Sequence, residues 1–304
     1  MKNLITLLLL SIGLSVNAQL ISVTESGKTG QRLSISNAAN YGDIGYNAVD
    51  LSYSNSISTA FGATGDESLA MGRFTTASGF NSIAMGRNST ASGLVSIVMG
   101  EFTTASGIRS TAMGYYTTAS DYASTVIGQF NSSGFTATSA TSFSSSAPAF
   151  VIGNGTDSSN RSDAFKVMFN GDATISNDLT VNGDLTVSSD ARLKANIVSL
   201  GATLSKLLNI DGKTYTVKKN GAQKIGVLAQ DIQEVFPELV SEDNEGMLSV
   251  NYQGLIPVLI NALKEQQEEI TRLQAQETKL IAQEKRIELQ EERLKALERI
   301  LSKE

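Results

Sequence analysis

The chain has 304 residues, 24 basic and 30 acidic, with a formal net charge of -6 and no histidine, cysteine or tryptophan. That composition excludes Ser-His-Asp and Cys-His nucleophile systems, disulfide staples and the usual zinc and haem ligand sets, so no cofactor is expected. The acidic balance offers no basic field for nucleic acid or anionic lipid. Charge is also unevenly spread: residues 1–188 hold only 20 charged side chains, whereas 264–304 hold 19, ten acidic and nine basic. At least two physically different regions are therefore expected.

Residues 1–18 join a charged start at Lys2, an apolar run from Leu4 to Leu14 and a small-residue site at Val16-Asn17-Ala18. This pattern predicts a secretory signal peptide, hence a secreted or cell-surface protein. The run is short for a membrane span, so the mature chain is expected to have no membrane-spanning segment. Residues 19–57 are expected to form an N-terminal β segment.

From residue 58 to 134 the sequence repeats every fourteen positions. Gly72, Gly86, Gly100, Gly114 and Gly128 form one series, and Gly65, Gly79, Gly93 and Gly107 fall midway, with Asp121 as the fifth member. Ser68 to Ser124, Met71 to Met113 with Ile127, and the Ala-Ser pairs from Ala77-Ser78 to Ala119-Ser120 recur in step. Glycine every seven residues predicts corners with positive φ, and the short segments between them read as strands. One coil cannot bury its own apolar side, so coils stack into a slender β-solenoid with alanine and methionine expected inside. Ser58-Thr59-Ala60-Phe61-Gly62 looks like a degenerate leading copy.

These units resemble the head repeats of trimeric autotransporter adhesins. The resemblance implies three parallel left-handed β-rolls side by side, a homotrimer, and a head that meets a host surface or glycan. The coiled coil that ends the sequence is expected to lack the membrane barrel of that plan. The repeats offer no recurring carboxylate pair of the kind glycoside hydrolysis needs.

Residues 135–188 read as linker and β-stem. Ten of the nineteen residues in 131–149 are Ser or Thr, which marks an irregular loop. The stretch from Ala149 to Ile175 alternates apolar and polar residues around tight turns, so hairpins are expected. Asp178-Leu-Thr-Val181 and Asp184-Leu-Thr-Val187 flank Asn182-Gly183, which is compatible with a hairpin or with a continued stem.

Residues 189–263 have the composition of a small α+β domain. Leu200, Leu204, Leu207 and Leu208 predict a helix within Ser199 to Ile210. Strands are expected at 213–217, 224–229 and 247–250, with a helical turn at 230–236 stopped by Pro237. At its start, Ser189 stands five residues before Lys194. By itself this is either an N-capped polar turn or a catalytic pair. Without histidine, a serine nucleophile needs a lysine, an aspartate or a held water as base, and a lysine qualifies only when burial favours its neutral amine.

The blocks Ser189-Asp190-Ala191-Arg192-Leu193-Lys194, Ile225-Gly226-Val227-Leu228-Ala229-Gln230, Val235-Phe236-Pro237-Glu238-Leu239-Val240 and Val250-Asn251-Tyr252 with Leu255-Ile256-Pro257 resemble the intramolecular chaperone auto-processing domain of phage endosialidase tailspikes. The resemblance implies an autocatalytic serine endopeptidase with a Ser189-Lys194 dyad. It also implies a cut between Ser188 and Ser189 once a homotrimer has formed. The rival reading is a non-enzymatic trimeric adhesin or structural fibre whose trimerisation module stays attached.

Residues 264–304 repeat Leu273, Leu280, Ile287, Leu294 and Leu301 every seven positions, with Gln276, Gln283, Gln290 and Leu297 three later. This spacing predicts a coiled coil, with a solvated charged helix as the alternative. Glu268-Arg272 is expected to support the helix as an i,i+4 pair.

Overall fold

The computed structural model describes residues 19–243 and 246–302, without the side chains of Ile300 and Leu301. The expected signal peptide lies outside the described residues. The chain divides after Leu185 into two compact units.

The first unit opens with an antiparallel pair, β1 (Leu20–Glu25) and β2 (Lys28–Leu33). Parallel coils follow: β3 (Val49–Tyr53), β4 (Gly62–Ala63), β5 (Leu69–Arg73), β6 (Thr76–Ala77), β7 (Ile83–Arg87), β8 (Thr90–Ala91), β9 (Ile97–Glu101), β10 (Thr104–Ala105), β11 (Thr111–Tyr115), β12 (Thr118–Ala119) and β13 (Thr125–Gln129). Strands β14 (Pro148–Asn154), β15 (Asp163–Met168) and β16 (Ala173–Ile175) finish the unit as antiparallel hairpins behind the parallel β13-β14 pair. Odd-numbered strands build an eleven-stranded sheet with β2, β14 and β16, and the two-residue strands form a five-stranded sheet beside it. The repeat is thus a parallel β-solenoid in which residue i pairs with i+14, as Ala84 does with Val98.

Its interior is two columns of small side chains. Ala70, Ala84, Val98, Ala112 and Val126 come from the long strands, and Ala63, Ala77, Ala91, Ala105 and Ala119 from the short ones; all have no exposed surface. The methionines are not inside, contrary to the expectation from their regular placement: Met71 and Met99 are 41% and 36% exposed. Strand side chains alternate between faces, and Ala70 already takes the inward direction between Leu69 and Met71.

The two glycine series also differ from a single corner role. Gly86 has φ +120°, the backbone region that favours glycine. Gly93 does not, and serves a close approach instead: a Cβ there would lie 2.7 Å from the carbonyl carbon of Gly107 in the next coil, and closer still to its oxygen. The left-handed corners between strands are held by non-glycine residues seven apart, among them Asn81 (φ 55°), Asn88 (φ 51°) and Val95 (φ 57°).

A buried ion pair closes the first coils. Arg32 Nε donates to Asp50 Oδ2 at 3.3 Å, Nη1 to Glu25 at 2.7 Å and Nη2 to the Gly42 carbonyl at 3.0 Å. Ser52 donates to the other Asp50 oxygen through its amide and its hydroxyl, at 3.0 and 2.6 Å. This satisfies the acceptors that burial would otherwise penalise. Residues 178–187 carry no strand in this chain, and Leu179, Val181, Leu185 and Val187 are exposed.

The second unit has the short helix α1 (Leu204–Leu207), hairpin β17 (Lys213–Thr216) and β18 (Gln223–Gly226), α2 (Ala229–Val235), hairpin β19 (Val240–Glu242) and β20 (Leu248–Val250), and the long helix α3 (Leu255–Leu301). The helix expected across Ser199 to Ile210 shortens to one turn. Glu265 of α3 caps its start, accepting from Thr203 N at 2.6 Å and Leu204 N at 3.1 Å. Ile232, Phe236 and Val258 form the core, ringed by Leu207, Val227, Val250 and Leu255. Such a core is small, and Leu208, Ile225, Met247 and Leu263 stay well exposed. In α3, Arg272 pairs with Glu269 rather than the expected Glu268, its Nε donating to Oε2 at 2.8 Å. The guanidinium holds the Glu269 carboxyl below its ordinary value.

Candidate active site

The opening of the second unit builds its site from one tight turn. Asp190, in extended backbone with φ -63° and ψ 135°, caps the single 3-10 turn Ala191–Leu193. Its Oδ1 accepts from Arg192 N at 2.8 Å, and the Arg192 guanidinium returns to the same carboxylate through Nε (3.0 Å) and Nη2 (2.8 Å). An Asx cap and a two-pronged ion pair therefore fasten one turn from both sides. The Arg192 guanidinium holds the Asp190 carboxyl below its usual range, with the Arg192 amide second.

The turn closes with Leu193 N donating to the Asp190 carbonyl and Lys194 N to the Ala191 carbonyl, both at 3.1 Å. Chain direction reverses across these residues, and the side chains at either end meet: Lys194 Nζ donates to Ser189 Oγ at 2.7 Å. Asn196 follows at φ 54°, a left-handed residue that bends the chain again. Ser188 lies in the exposed, irregular segment just before the turn.

Ser189, Lys194 and the Ser188–Ser189 peptide bond are thus brought together locally, all exposed in the single chain. Both Asp190 oxygens face Arg192, which leaves Lys194 as the basic group on the serine hydroxyl. A lysine amine within hydrogen-bond reach of the hydroxyl is the geometry a Ser-Lys pair requires. The Asp190-Arg192 fork fastens the turn whose two ends carry Ser189 and Lys194, and its sequence signal is the Asp-x-Arg spacing at the start of the turn. The apolar Leu193, Ile197 and Val198 flank the dyad at 73%, 67% and 84% exposure. Among the described residues no group of acidic side chains is placed to hold a metal.

Comparison with known proteins places this turn at the edge of a recognised domain. Residues 189–241 match the family described as chaperone of endosialidase. Residues 63–89, 77–101 and 105–131 match the YadA head domain repeat. The chain is also 36% identical over 84 residues to the long tail fiber protein Gp37 of Escherichia phage AR1, a stretch covering 24% of this chain and 8% of that protein. No described helix is long and apolar enough to cross a membrane.

Proposed function

We propose that the chain is an exported homotrimeric fibre whose C-terminal module acts as an intramolecular chaperone and then severs itself between Ser188 and Ser189. The domain plan is a leader at 1–18, a β segment at 19–57, head repeats at 58–134, linker and stem at 135–188, the self-cleaving module at 189–263 and a coiled coil at 264–304. The observation that carries the cleavage is the 2.7 Å contact between Lys194 Nζ and Ser189 Oγ, held by a turn that brings no other basic group to the hydroxyl.

The chemistry balances without a cofactor. The Lys194 amine takes the hydroxyl proton as Ser189 Oγ bonds to the carbonyl carbon of Ser188. The C–N bond to Ser189 breaks, and the proton passes from Lys194 to the leaving amine. Water then hydrolyses the ester, leaving a carboxylate on Ser188 and a free hydroxyl and amino group on Ser189.

Trimerisation supplies the timing. In one chain both members of the dyad are open to water. Leu193, Ile197 and Val198 expose apolar surface beside it, and covering them with two further copies would dry the site at the same time. The solenoid supports the same assembly, because Met71 and Met99 present an apolar stripe on the outer face of the long sheet. Matches to a tail-fibre protein and to adhesin head repeats support a place outside the cell.

A second reading, a trimeric fibre that never cuts itself, is favoured by the solvent exposure of the dyad in the single chain. Denaturing gels of folded protein separate the two. Wild type is expected to run as two pieces, and Ser189→Ala and Lys194→Ala as one. A wild-type chain that folds, trimerises and stays whole would refute cleavage and leave the structural reading.

A further inference from the structure

The regular coils of the first unit take fourteen residues each, as Leu69 pairs with Ile83, but the two before them are longer. Gln31 pairs with Val49, eighteen positions on, and Val49 with Leu69, twenty on. Extra residues in a stacked repeat leave the solenoid as loops, the usual place for a binding face. The loops after β2 and after β3 enclose a cleft of about 330 Å³, at the lower end of the ~300–1,000 Å³ common for ligand sites.

Tyr41 is the back wall of this cleft. Its hydroxyl donates to the Ser52 carbonyl at 3.1 Å and accepts from Ser54 N at 2.9 Å, and the Arg32 guanidinium carbon lies 5.0 Å from its ring centroid. Asn40 Nδ2 ties the two loops together by donating to the Ser54 carbonyl at 2.8 Å. Asn37 Oδ1 caps the 3-10 turn Ala38–Asn40, accepting from Ala39 N at 3.2 Å. These bonds fix the walls before a ligand arrives, so little ordering is left to be done on binding.

The same side chains keep hydrogen-bonding capacity for a ligand. Asn37 and Asn40 each have one end of the amide engaged, which leaves Nδ2 of the first and Oδ1 of the second. Asn55 is exposed and engages neither end, and Tyr53, at 55% exposure, bonds no described residue through its hydroxyl. An amide both donates and accepts, as the neighbouring hydroxyls of a sugar do. The Tyr53 ring and Ile35, 71% exposed, add the apolar surface that suits the C–H face of a pyranose.

Charge and topology narrow the occupant further. None of the residues lining the cleft is charged. Arg32, behind the Tyr41 ring, is buried and paired with Asp50, so an ionic ligand would lose hydration without meeting a counter-charge. A peptide finds no strand edge to extend, because β2 lies between β1 and β3, and β3 between β2 and β5.

We propose that this cleft binds an uncharged saccharide, one or two pyranose rings at the end of a glycan. The ring stacks on Tyr53 and Ile35, and its hydroxyls bond Asn37, Asn40 and Asn55. The site holds for cleaved and whole chains alike, so it stands apart from the fate of the Ser188–Ser189 bond.

The test applies the purified protein to an array of immobilised glycans that end in neutral, carboxylated or sulfated sugars. Neutral ends are expected to bind and charged ends to fail. Tyr53→Ala and Asn55→Ala remove exposed side chains, and Asn37→Asp keeps the cap on Ala39 N while replacing the free donor by an acceptor. Each is expected to weaken binding about tenfold, the worth of one well-placed contact. Tyr46→Ala, a tyrosine 54% exposed outside the cleft, is expected to leave binding unchanged. An array with no neutral binder, binding to charged ends alone, or unchanged binding in all three cleft variants overturns the inference. Light scattering addresses the rival occupant: a change of oligomeric mass in Tyr53→Ala would make the cleft a contact between copies and refute the sugar site.

Discussion

Gly93→Ala probes the solenoid where backbone geometry and packing give opposite answers. Gly93 lies outside the positive-φ region, so if corner glycines served only conformation, alanine would be neutral or slightly stabilising. The structure says otherwise, because the new Cβ would sit 2.7 Å from the Gly107 carbonyl carbon, against 3.4 Å or more for an ordinary contact. Adjacent coils must part locally by about 0.7 to 1 Å, against a strand spacing of about 4.8 Å. The bonds from Ser92 N and Gly93 N to the Ala105 carbonyl, 3.0 and 3.1 Å long, would stretch to roughly 4 Å and cease to be hydrogen bonds. Losing two ladder bonds at about 1 kcal/mol each, plus contacts in the Ala91-Ala105 column, destabilises the head by about 3 kcal/mol. Urea unfolding followed by circular dichroism reads this directly, with the exposed Ser92→Ala as a control expected within about 0.5 kcal/mol of wild type. An unchanged midpoint for Gly93→Ala would refute the close-approach account of this glycine series.

Three further outcomes follow from other parts of the molecule. Val95→Asn should stabilise the head by about 1 kcal/mol in the same unfolding assay, because a β-branched residue is held at φ 57° where asparagine, present at the equivalent Asn81, is tolerated. Asp50→Ala should cost about 3 kcal/mol, since it strips a fully buried partner from Arg32, which keeps only Glu25 and the Gly42 carbonyl. The Thr203 amide holds the Glu265 carboxyl below its ordinary value of 4.5, with the Leu204 amide and the Thr203 hydroxyl assisting. Its folded-state pKa being depressed, the contribution to the second unit is fully present above about pH 4.5 and lost as pH falls through the lowered value. Glu265→Gln should flatten that part of the acid-unfolding profile, and an unaltered profile would show that the cap contributes nothing.

Much of the solenoid was legible because a fourteen-residue period survives in the residues with least freedom: alanines that fill a narrow lumen and glycines that meet the next coil. The left-handed corners were not, since Glu67, Asn81, Val95, Arg109 and Ala123 share a backbone state but no side-chain chemistry. Regular spacing does not by itself mean burial, and strand alternation sends the methionines outward beside each buried alanine. In the second unit β17, β18, β20 and α2 fall near their expected places, whereas β19 lies where no strand was expected. The helix around Leu204 was overextended because its leucines serve a loop and a small core as well as one turn. For the dyad, spacing alone favours a polar turn over a catalytic pair. The structure has the capped polar turn, and across it Lys194 Nζ donates to Ser189 Oγ.

The most direct test of self-cleavage is the intact mass of the folded, purified protein, together with the N-terminal sequence of its smaller fragment. The account predicts two masses summing to the mature chain plus one water, with the smaller piece beginning Ser189-Asp190-Ala191. A single full-length mass from a trimeric preparation, or a fragment beginning at any other residue, would contradict it.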